Sequence, residues 1–460
     1  SILVRLQTSV QFALLLSQLQ GMLAILLLAC GVVRAVDRRP MVQFLTVWLF
    51  LFGGGLGWWY FWGDWQSSGQ SLLQFMSDLP WQYTNSPEHS IFFSNVITDM
   101  LLPQRGFVIG LSTIFAVVCL TLAFHSSKKR SLLWLSSILI GFLPLFHMHS
   151  FLWILGGWLL LTSYYWWKLP KYRSLLPKLW LTALALAATQ LWWFSANGGG
   201  GHFVHWQVGW MLADGLPQAS INFLWLFLLN FGIAGVVLVA LPFQLKKVWA
   251  TQPTQAIIFG YSWLVFVVCL LLAFQPWEYD NIKLMMPSFF FLCLVAVQQL
   301  VGWWRSWYKW LVTVVVLLLS LSGMLSVTRE VFLSDQLVSA QDMTVAQQLR
   351  DVLEPGAITL TASTHNHLIP MVVGQPIVMG YRGWLWSHGI DTTETATDVA
   401  SIYAGDSDTE SLLKKYKIRY VYIGPDERAQ YKIIDAYWSQ SHTLIFATDI
   451  TQVYEVVSKK

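Results

Sequence analysis

The chain has 460 residues, of which 55% are hydrophobic and 11% charged, and its net charge is +4. Its mean hydropathy of +0.53 lies far outside the usage of soluble globular domains and predicts an integral membrane protein. The small net charge gives no indication of a nucleic-acid partner, and the sequence has neither a Walker A motif nor a GxGxxG after a predicted strand. The four cysteines fall in apolar runs, which favours buried thiols over disulfides.

Apolar runs recur along the first part of the chain, and a membrane-spanning helix needs about 20 such residues. About ten spans are predicted by this criterion, at residues 9–33, 41–62, 106–125, 132–147, 149–167, 178–196, 221–243, 255–275, 284–303 and 310–327. The sequence therefore predicts a polytopic α-helical membrane protein, with a transmembrane helical domain over residues 1–328.

The connections between these spans are of two kinds, which alternate along the chain. One kind is short and basic, with Arg34, Arg38, Arg39, Lys128, Lys129, Arg130, Lys168, Lys171, Arg173, Lys178, Lys246, Lys247, Arg305 and Lys309. The other kind is longer, aromatic and mixed in charge, and comprises residues 63–105, 197–220 and 276–283. The positive-inside rule assigns the basic kind to the cytoplasm of a plasma-membrane protein. The second kind, and everything after residue 328, is then predicted to be extracytoplasmic.

The same topology puts residue 1 on the outer side, and the chain starts with Ser rather than Met. We therefore expect the natural protein to have at least one further N-terminal helix and a first outer loop. A genomic reading frame that starts at residue 1 would overturn this expectation.

The composition changes after residue 328, where charge rises and long apolar runs stop. Helical patterns such as MTVAQQLRDVL alternate with strand patterns such as AITLTAS, QPIVMGY and IRYVYIGP. Such alternation predicts a small α/β domain over residues 329–460. A chain of this length can form its own core.

Two histidines, His147 and His149, lie in the stretch LFHMHSF at a predicted outer turn between two helices. Two imidazoles at this spacing can bind a metal or a phosphate. The alternative is an interfacial turn whose imidazoles are simply hydrated. Polar side chains at such positions of membrane proteins usually have a functional reason.

A second candidate is QPWEYDNIK, a very short predicted outer loop that contains Glu278, Asp280, Asn281 and Lys283. Its carboxylates are the hard oxygen ligands that Mg²⁺ or Mn²⁺ prefers, and they can also orient a hydroxyl group. Lys283 can pair with a lipid phosphate. The alternative is a helix cap with an internal Asp–Lys pair.

A third candidate is LLPQRGF, where Gln104 and Arg105 stand at the point where the long outer loop re-enters the membrane. A guanidinium suits bidentate recognition of phosphate, although a snorkelling interfacial arginine has the same sequence pattern. In NGGGGHFVHW, His202 and His205 follow four glycines, for which a flexible linker is the alternative interpretation.

The predicted C-terminal domain contributes two more stretches, THNHLIP and GYRGWLWSHGID. The first follows a strand end, where the sites of α/β domains gather. The second contains Arg382 and Trp384, and its mixture of aromatic and polar groups suits the stacking of a sugar. Docking onto the membrane face or onto the transmembrane part is the alternative that this pattern favours.

This layout resembles the GT-C superfamily of integral membrane glycosyltransferases. The motifs GGGLGWW, LLPQRGF, HMHSF, QPWEYDNIK and GYRGWLWSHGID carry the resemblance. It implies transfer of a sugar from a polyprenyl-phosphate donor to a glycan or protein acceptor on the extracytoplasmic side. Arg105 and Lys283 would then hold the carrier phosphate. Glu278 or Asp280, with His147 and His149, would position the acceptor or a divalent cation.

The chain departs from the family in one respect, because the catalytic carboxylate of the superfamily usually lies in the first outer loop, which we expect to be absent here. Two other functions stay open. A transporter or flippase for a lipid-linked saccharide would need helix breaks at mid-membrane, and Pro144 and Pro287 both lie toward helix ends. A non-enzymatic scaffold of the cell envelope would have no pocket that joins the outer helix ends.

Overall fold

A computed structural model describes residues 10–196, 203–211, 220–304, 308–334, 336 and 338–457. The chain forms two compact units. The first, which we call the membrane unit, comprises Ser1–Phe194 and Phe203–Leu333, and the second, the C-terminal unit, comprises Ser195–His202 and Ser334–Lys460.

Helices make up most of the membrane unit. They are α1 (Val10–Val36), α2 (Pro40–Phe52), α3 (Trp58–Ser68), α4 (Leu72–Ser77), α5 (Arg105–Ser127), α6 (Arg130–Phe142), α7 (Met148–Lys168), α8 (Leu176–Ala196), α9 (Ser220–Phe231), α10 (Ile233–Thr251), α11 (Pro253–Cys269), α12 (Ile282–Trp304) and α13 (Lys309–Phe332). β1 (His205–Trp206) and β2 (Leu272–Ala273) pair as a two-stranded antiparallel sheet.

Six of the described helical segments are long and apolar enough to cross a membrane, by length and composition. They are Phe12–Val36, Arg105–Ser127, Leu176–Ala196, Ile233–Thr251, Glu278–Trp304 and Lys309–Phe332. Pro40–Phe52, Arg130–Leu145 and Pro253–Cys269 are shorter apolar helices. The predicted class, a polytopic α-helical membrane protein with a C-terminal α/β domain, is confirmed.

The predicted span 41–62 is wrong as a continuous helix, because α2 ends at Phe52. The chain then approaches other backbone too closely for any side chain. A Cβ atom on Gly55 would lie 1.5 Å from the carbonyl oxygen of Leu229, and one on Gly57 would lie 1.9 Å from that of Tyr83. Close packing of backbone against these glycines therefore ends the helix.

The predicted span 221–243 is also interrupted. Gly232 separates α9 from α10 and has a φ of +49°, in the left-handed region that favours glycine. A Cβ atom there would lie 2.5 Å from the carbonyl oxygen of Gly54. The two helix breaks therefore contact each other, which a pattern of hydropathy along the chain cannot show.

Helix α12 is the central element of the membrane unit. It is buried from Ile282 to Val297 and packs against α2, α7, α10, α11 and α13. A helix that is apolar on all sides belongs in the middle of a bundle. Its N-terminal end directly follows the motif QPWEYDNIK, so the position of that motif in the bundle is fixed by this packing.

The C-terminal unit contains a four-stranded sheet in the order β3-β4-β6-β5, with strands β3 (Ile358–Leu360), β4 (Ile418–Ile423), β5 (Thr443–Ala447) and β6 (Gln452–Glu455). β3 and β4 are parallel, and the other two pairings are antiparallel. Its helices are α14 (Ala340–Val352), α15 (Arg382–Ser387), α16 (Thr393–Ala404), α17 (Thr409–Lys415), α18 (Pro425–Gln430) and α19 (Asp435–Ser441). The predicted strand QPIVMGY is wrong, because Ile377 makes only an isolated bridge to Thr359.

Candidate functional site

Two of the predicted motifs lie side by side because the N-terminal turns of α5 carry glycine. A Cβ atom on Gly106 would lie 2.6 Å from the carbonyl oxygen of Phe146, and one on Gly110 would lie 3.0 Å from Nδ1 of His147. The start of α5, with Arg105 exposed at its first position, therefore packs against the turn that contains LFHMHSF.

The third motif meets the same turn. Lys283 and Asp280 form a salt bridge of 2.8 Å, and both are largely buried. Both charges lie within electrostatic range of the His149 ring, and the rings of His147 and His149 are 5.2 Å apart. The structure thus brings LLPQRGF, HMHSF and QPWEYDNIK together at one end of the helix bundle, and we call this the polar cluster.

Three helices begin at the polar cluster, namely α5, α7 and α12. The N-terminus of a helix carries unpaired backbone N–H groups and about half a unit of positive charge. Three such ends, together with Arg105 and the Lys283 ammonium, favour an anion. The cluster is therefore chemically suited to a phosphate group.

His147 has a position that the sequence did not reveal, at the N-cap of α7. Its Nδ1 accepts a hydrogen bond from the Ser150 backbone N–H at 3.2 Å and lies 2.8 Å from the Ser150 hydroxyl. Burial, together with His149 and Lys283, lowers the pKa of His147 well below its ordinary value, so the ring is neutral. The ring nitrogen that caps the helix is used inside the protein, and Nε2 carries the proton.

A polar donor in the cluster has no partner. The Gln275 side chain lies in hydrogen-bonding range of His149, while its Nε2 is buried without a hydrogen-bond partner in the described part of the chain. Buried polar groups of folded proteins are nearly always paired, so an orphaned donor needs an explanation. A bound oxygen-rich ligand is such an explanation.

Glu278 and His205 lie next to each other, His205 in β1 and Glu278 in the helical turn that follows β2. His205 Nε2 is 3.8 Å from a carboxylate oxygen of Glu278, and Trp210 Nε1 donates to the Glu278 carbonyl oxygen at 2.7 Å. His202, the other predicted histidine of this stretch, lies outside the described residues.

Two predicted binding residues make hydrogen bonds within the protein. The Asn281 side chain accepts from the Phe274 N–H and donates to the carbonyl oxygens of Cys269 and Leu272. Gln104 donates to the carbonyl oxygen of Asp99 at 2.9 Å. Both side chains therefore hold the loops around the cluster, and a role in binding substrate stays a prediction.

The predicted divalent cation also stays a prediction. Among the described residues, no group of three or more His, Cys, Asp or Glu side chains is arranged to hold a metal ion. His149 lies near His147 and within electrostatic range of Asp280, but one nitrogen of His147 is the helix cap and Asp280 pairs with Lys283.

Asp99 is a residue that sequence reasoning missed. It lies in a π-helical turn, Ile97–Leu101, and burial raises the pKa of its carboxyl group. Ser94, Gln82 and Asn85 lie in hydrogen-bonding range of this carboxyl, yet its Oδ2 is buried without a partner in the described part of the chain. The Ser94 hydroxyl is hydrogen-bonded to the Tyr279 hydroxyl, next to Asp280. A lone acid in the apolar stretch NVITDMLLP was the available signal.

The remaining predicted residues, Arg382 and Trp384, belong to the C-terminal unit. Both are exposed, at the start of α15. The Trp384 and His365 rings are 4.6 Å apart, and the Arg382 N–H donates to the Ser363 hydroxyl. The stretches THNHLIP and GYRGWLWSHGID therefore meet within this unit, beyond the end of β3.

The same unit contains a fully buried pair of a histidine and a carboxylate. His367 Nε2 and Glu427 Oε1 are 2.8 Å apart, and the same oxygen accepts from the Ala362 N–H. Oε2 of Glu427 accepts from the Gly424 N–H at 2.8 Å. Both oxygens of this carboxylate accept hydrogen bonds from within the protein, which is typical of a side chain that stabilises the fold.

No protein-family model and no curated protein matches this chain. The crystal structure of ArnT from Cupriavidus metallidurans bound to undecaprenyl phosphate is similar to it at a TM-score of 0.40 and 11% sequence identity, over 96% of this chain and 84% of that one. A likeness of this degree does not establish a shared fold, and undecaprenyl phosphate binding is a property of ArnT.

Proposed function

We propose that this chain is a membrane glycosyltransferase of the GT-C type, which moves a sugar from a polyprenyl-phosphate donor to an acceptor on the extracytoplasmic side. One observation carries the proposal, namely that Asp280 and Lys283 lie within electrostatic range of His149 where three helices begin, next to the N-terminal turn of α5 that starts at Arg105. Lys128 directly follows α5, and Lys168 is the last residue of α7. Each of these basic residues lies at the end of its helix that is opposite to the polar cluster. By the positive-inside rule the polar cluster is then extracytoplasmic.

In this proposal the donor's phosphate lies at the ends of the three helices, next to Lys283 and Arg105. Breaking the bond between the sugar and the phosphate increases the negative charge on the phosphate. Fixed positive groups stabilise that charge, because they need no rearrangement as it develops. Lys283 would change partners from Asp280 to the phosphate.

The first experiment is deletion of the gene in its native host, followed by mass spectrometry of the polyprenyl lipids. We expect a glycosyl polyprenyl phosphate to accumulate, and its mass to identify the sugar. Transfer is then tested with this lipid, the purified full-length protein and membranes that supply the acceptor. Free polyprenyl phosphate is the expected product, whereas a transporter would leave the sugar–phosphate bond intact.

Substitution Lys283→Ala tests the site itself. A hydrogen bond to a charged group contributes roughly 1.5–3 kcal/mol, so binding of polyprenyl phosphate should weaken about 10- to 100-fold. Lys247→Ala is the matched control, because Lys247 is an exposed lysine of the basic set. Equal binding by both variants, or no accumulation of a lipid-linked sugar, would contradict the proposal.

A further inference from the structure

Asp99 differs from the other buried carboxylate near it. Glu330 has its Oε1 satisfied by Gln82 Nε2 at 2.8 Å and by Arg329 at 3.0 Å. Asp99 keeps Oδ2 buried and unpaired among the described residues. A buried acceptor that is left unpaired destabilises the folded protein. A purely structural carboxylate would be expected to satisfy both oxygens, so Oδ2 of Asp99 is available to accept a proton.

Hydroxyl groups connect Asp99 to the polar cluster. The Ser94 side chain lies in hydrogen-bonding range of the Asp99 carboxyl, and Ser94 itself is buried. The Ser94 hydroxyl is hydrogen-bonded to the Tyr279 hydroxyl. Tyr279 directly precedes Asp280 in the same helical turn, Glu278–Asn281. Each hydroxyl can donate and accept at once, which is what movement of a proton along such a chain requires.

We propose that Tyr279, Ser94 and Asp99 form a proton relay, in which Asp99 takes up the proton that the acceptor hydroxyl loses during glycosyl transfer. This inference rests on the proposed function and assigns the proton acceptor that the function needs. The Tyr279 hydroxyl is the group that contacts the acceptor, and Asp99 acts through it. Asp99 does not touch the acceptor itself, and it holds the proton at the end of the step.

The step balances as follows. The acceptor oxygen forms a bond to the anomeric carbon of the sugar, and the bond from that carbon to the phosphate oxygen breaks. The electron pair of the broken bond stays with the polyprenyl phosphate. The acceptor proton moves to the Tyr279 oxygen, the Tyr279 proton to Ser94, and the Ser94 proton to the Asp99 carboxylate. No oxidant, reductant or further reactant is needed.

The charges that face Asp99 determine how the relay responds to pH. Glu330 disfavours the ionised form of Asp99, and burial does so more strongly, so the pKa of Asp99 is raised. Arg329 is paired with Glu330, and Lys283 with Asp280. Because Asp99 must be ionised to accept a proton, transfer should fall as the pH drops below this raised pKa.

The experiment compares Asp99→Asn with Asp78→Asn in the full-length protein, using the lipid-linked sugar from the deletion strain. Asp78 is an exposed aspartate of the same outer segment, so it controls for the loss of a carboxylate. We expect Asp99→Asn to lower the rate of transfer about 10²-fold or more and to abolish its acid limb. Binding of polyprenyl phosphate should change by less than about twofold, since the phosphate groups are untouched.

Two further variants separate the relay from misfolding. Tyr279→Phe removes the hydroxyl without changing the ring, and Asp99→Glu keeps a carboxylate. We expect the first to reduce transfer and the second to restore part of it together with the acid limb.

The outcomes distinguish the two proposals. Equal transfer by wild type and Asp99→Asn with the same pH profile, or an equal loss in Asp78→Asn, overturns the relay alone. Absence of transfer by the wild-type protein overturns the proposed function and the relay with it.

Discussion

Both units bury a histidine near a carboxylate, and the two sites differ in how their hydrogen bonds are satisfied. In the C-terminal unit, both oxygens of Glu427 accept hydrogen bonds, from His367 and two backbone N–H groups. In the membrane unit, Gln275 Nε2 and Asp99 Oδ2 are buried without a partner among the described residues. The first pattern holds a loop in place, and the second leaves groups for a ligand. Burial of a histidine beside an acid therefore does not by itself indicate a site.

The largest expected effect concerns Glu427, whose two carboxylate oxygens both accept hydrogen bonds. Glu427→Ala should destabilise the C-terminal unit by about 3–5 kcal/mol, because it leaves His367 and two backbone donors buried and unpaired. Unfolding of the full-length protein in detergent, followed by denaturant titration, measures this loss. Glu394→Ala is the control, since Glu394 is 80% exposed and pairs with Lys415 at the surface. If the two variants are equally stable, the hydrogen bonds of Glu427 do not stabilise the C-terminal unit.

A smaller effect tests His147, which the sequence suggested for catalysis and the structure places at a helix cap. His147→Ala should cost about 1 kcal/mol of stability, the usual value of an N-cap side chain. Asparagine also caps helices well, so His147→Asn should restore stability. We expect it to restore glycosyl transfer too, if capping is the whole role. If His147→Asn is as stable as the wild type but has lost glycosyl transfer, His147 has a catalytic role in addition to capping the helix.

The smallest effect concerns an exposed pair in the C-terminal unit, Arg428 and Asp435, whose charged atoms are 2.8 Å apart. The hydrogen bond from Arg428 lowers the pKa of Asp435. A lowered carboxyl pKa stabilises the folded state above the ordinary value of about 3.9, and this stabilisation is lost as the pH falls through the folded-state pKa.

Arg428→Ala should therefore reduce the free energy of unfolding by less than about 1 kcal/mol at neutral pH, as for other exposed pairs. The difference between variant and wild type should vanish in strong acid. Denaturant titrations at a series of pH values measure it. A difference that grows as the pH falls would contradict the assignment.

The candidate site could be predicted in part. Arg105, His147, His149, Asp280 and Lys283 were all identifiable, because ionisable groups are conspicuous at the ends of apolar runs. Only the family resemblance implied that they belong to one site, since α5, α7 and α12 are separated by other helices along the chain. Gly106 and Gly110 allow α5 to pack against the turn that contains His147. A glycine in a helical sequence indicates close packing, but it does not show which residue packs against it. Asp99 was missed because its partners Gln82, Asn85 and Ser94 lie in an irregular loop without periodicity.

The sequence by itself determined the class of this protein, since the length and frequency of its apolar runs require a bilayer or an equivalent apolar surrounding. A change in composition near residue 328 also predicts where a second domain begins, and this boundary stays a prediction. The tertiary structure alone decided where the runs 41–62 and 221–243 are interrupted, because both breaks arise from backbone contacts between Gly54, Gly55, Leu229 and Gly232. It also decided which buried polar groups are satisfied. That property depends on distances between residues far apart in the chain, which no local pattern of hydropathy contains.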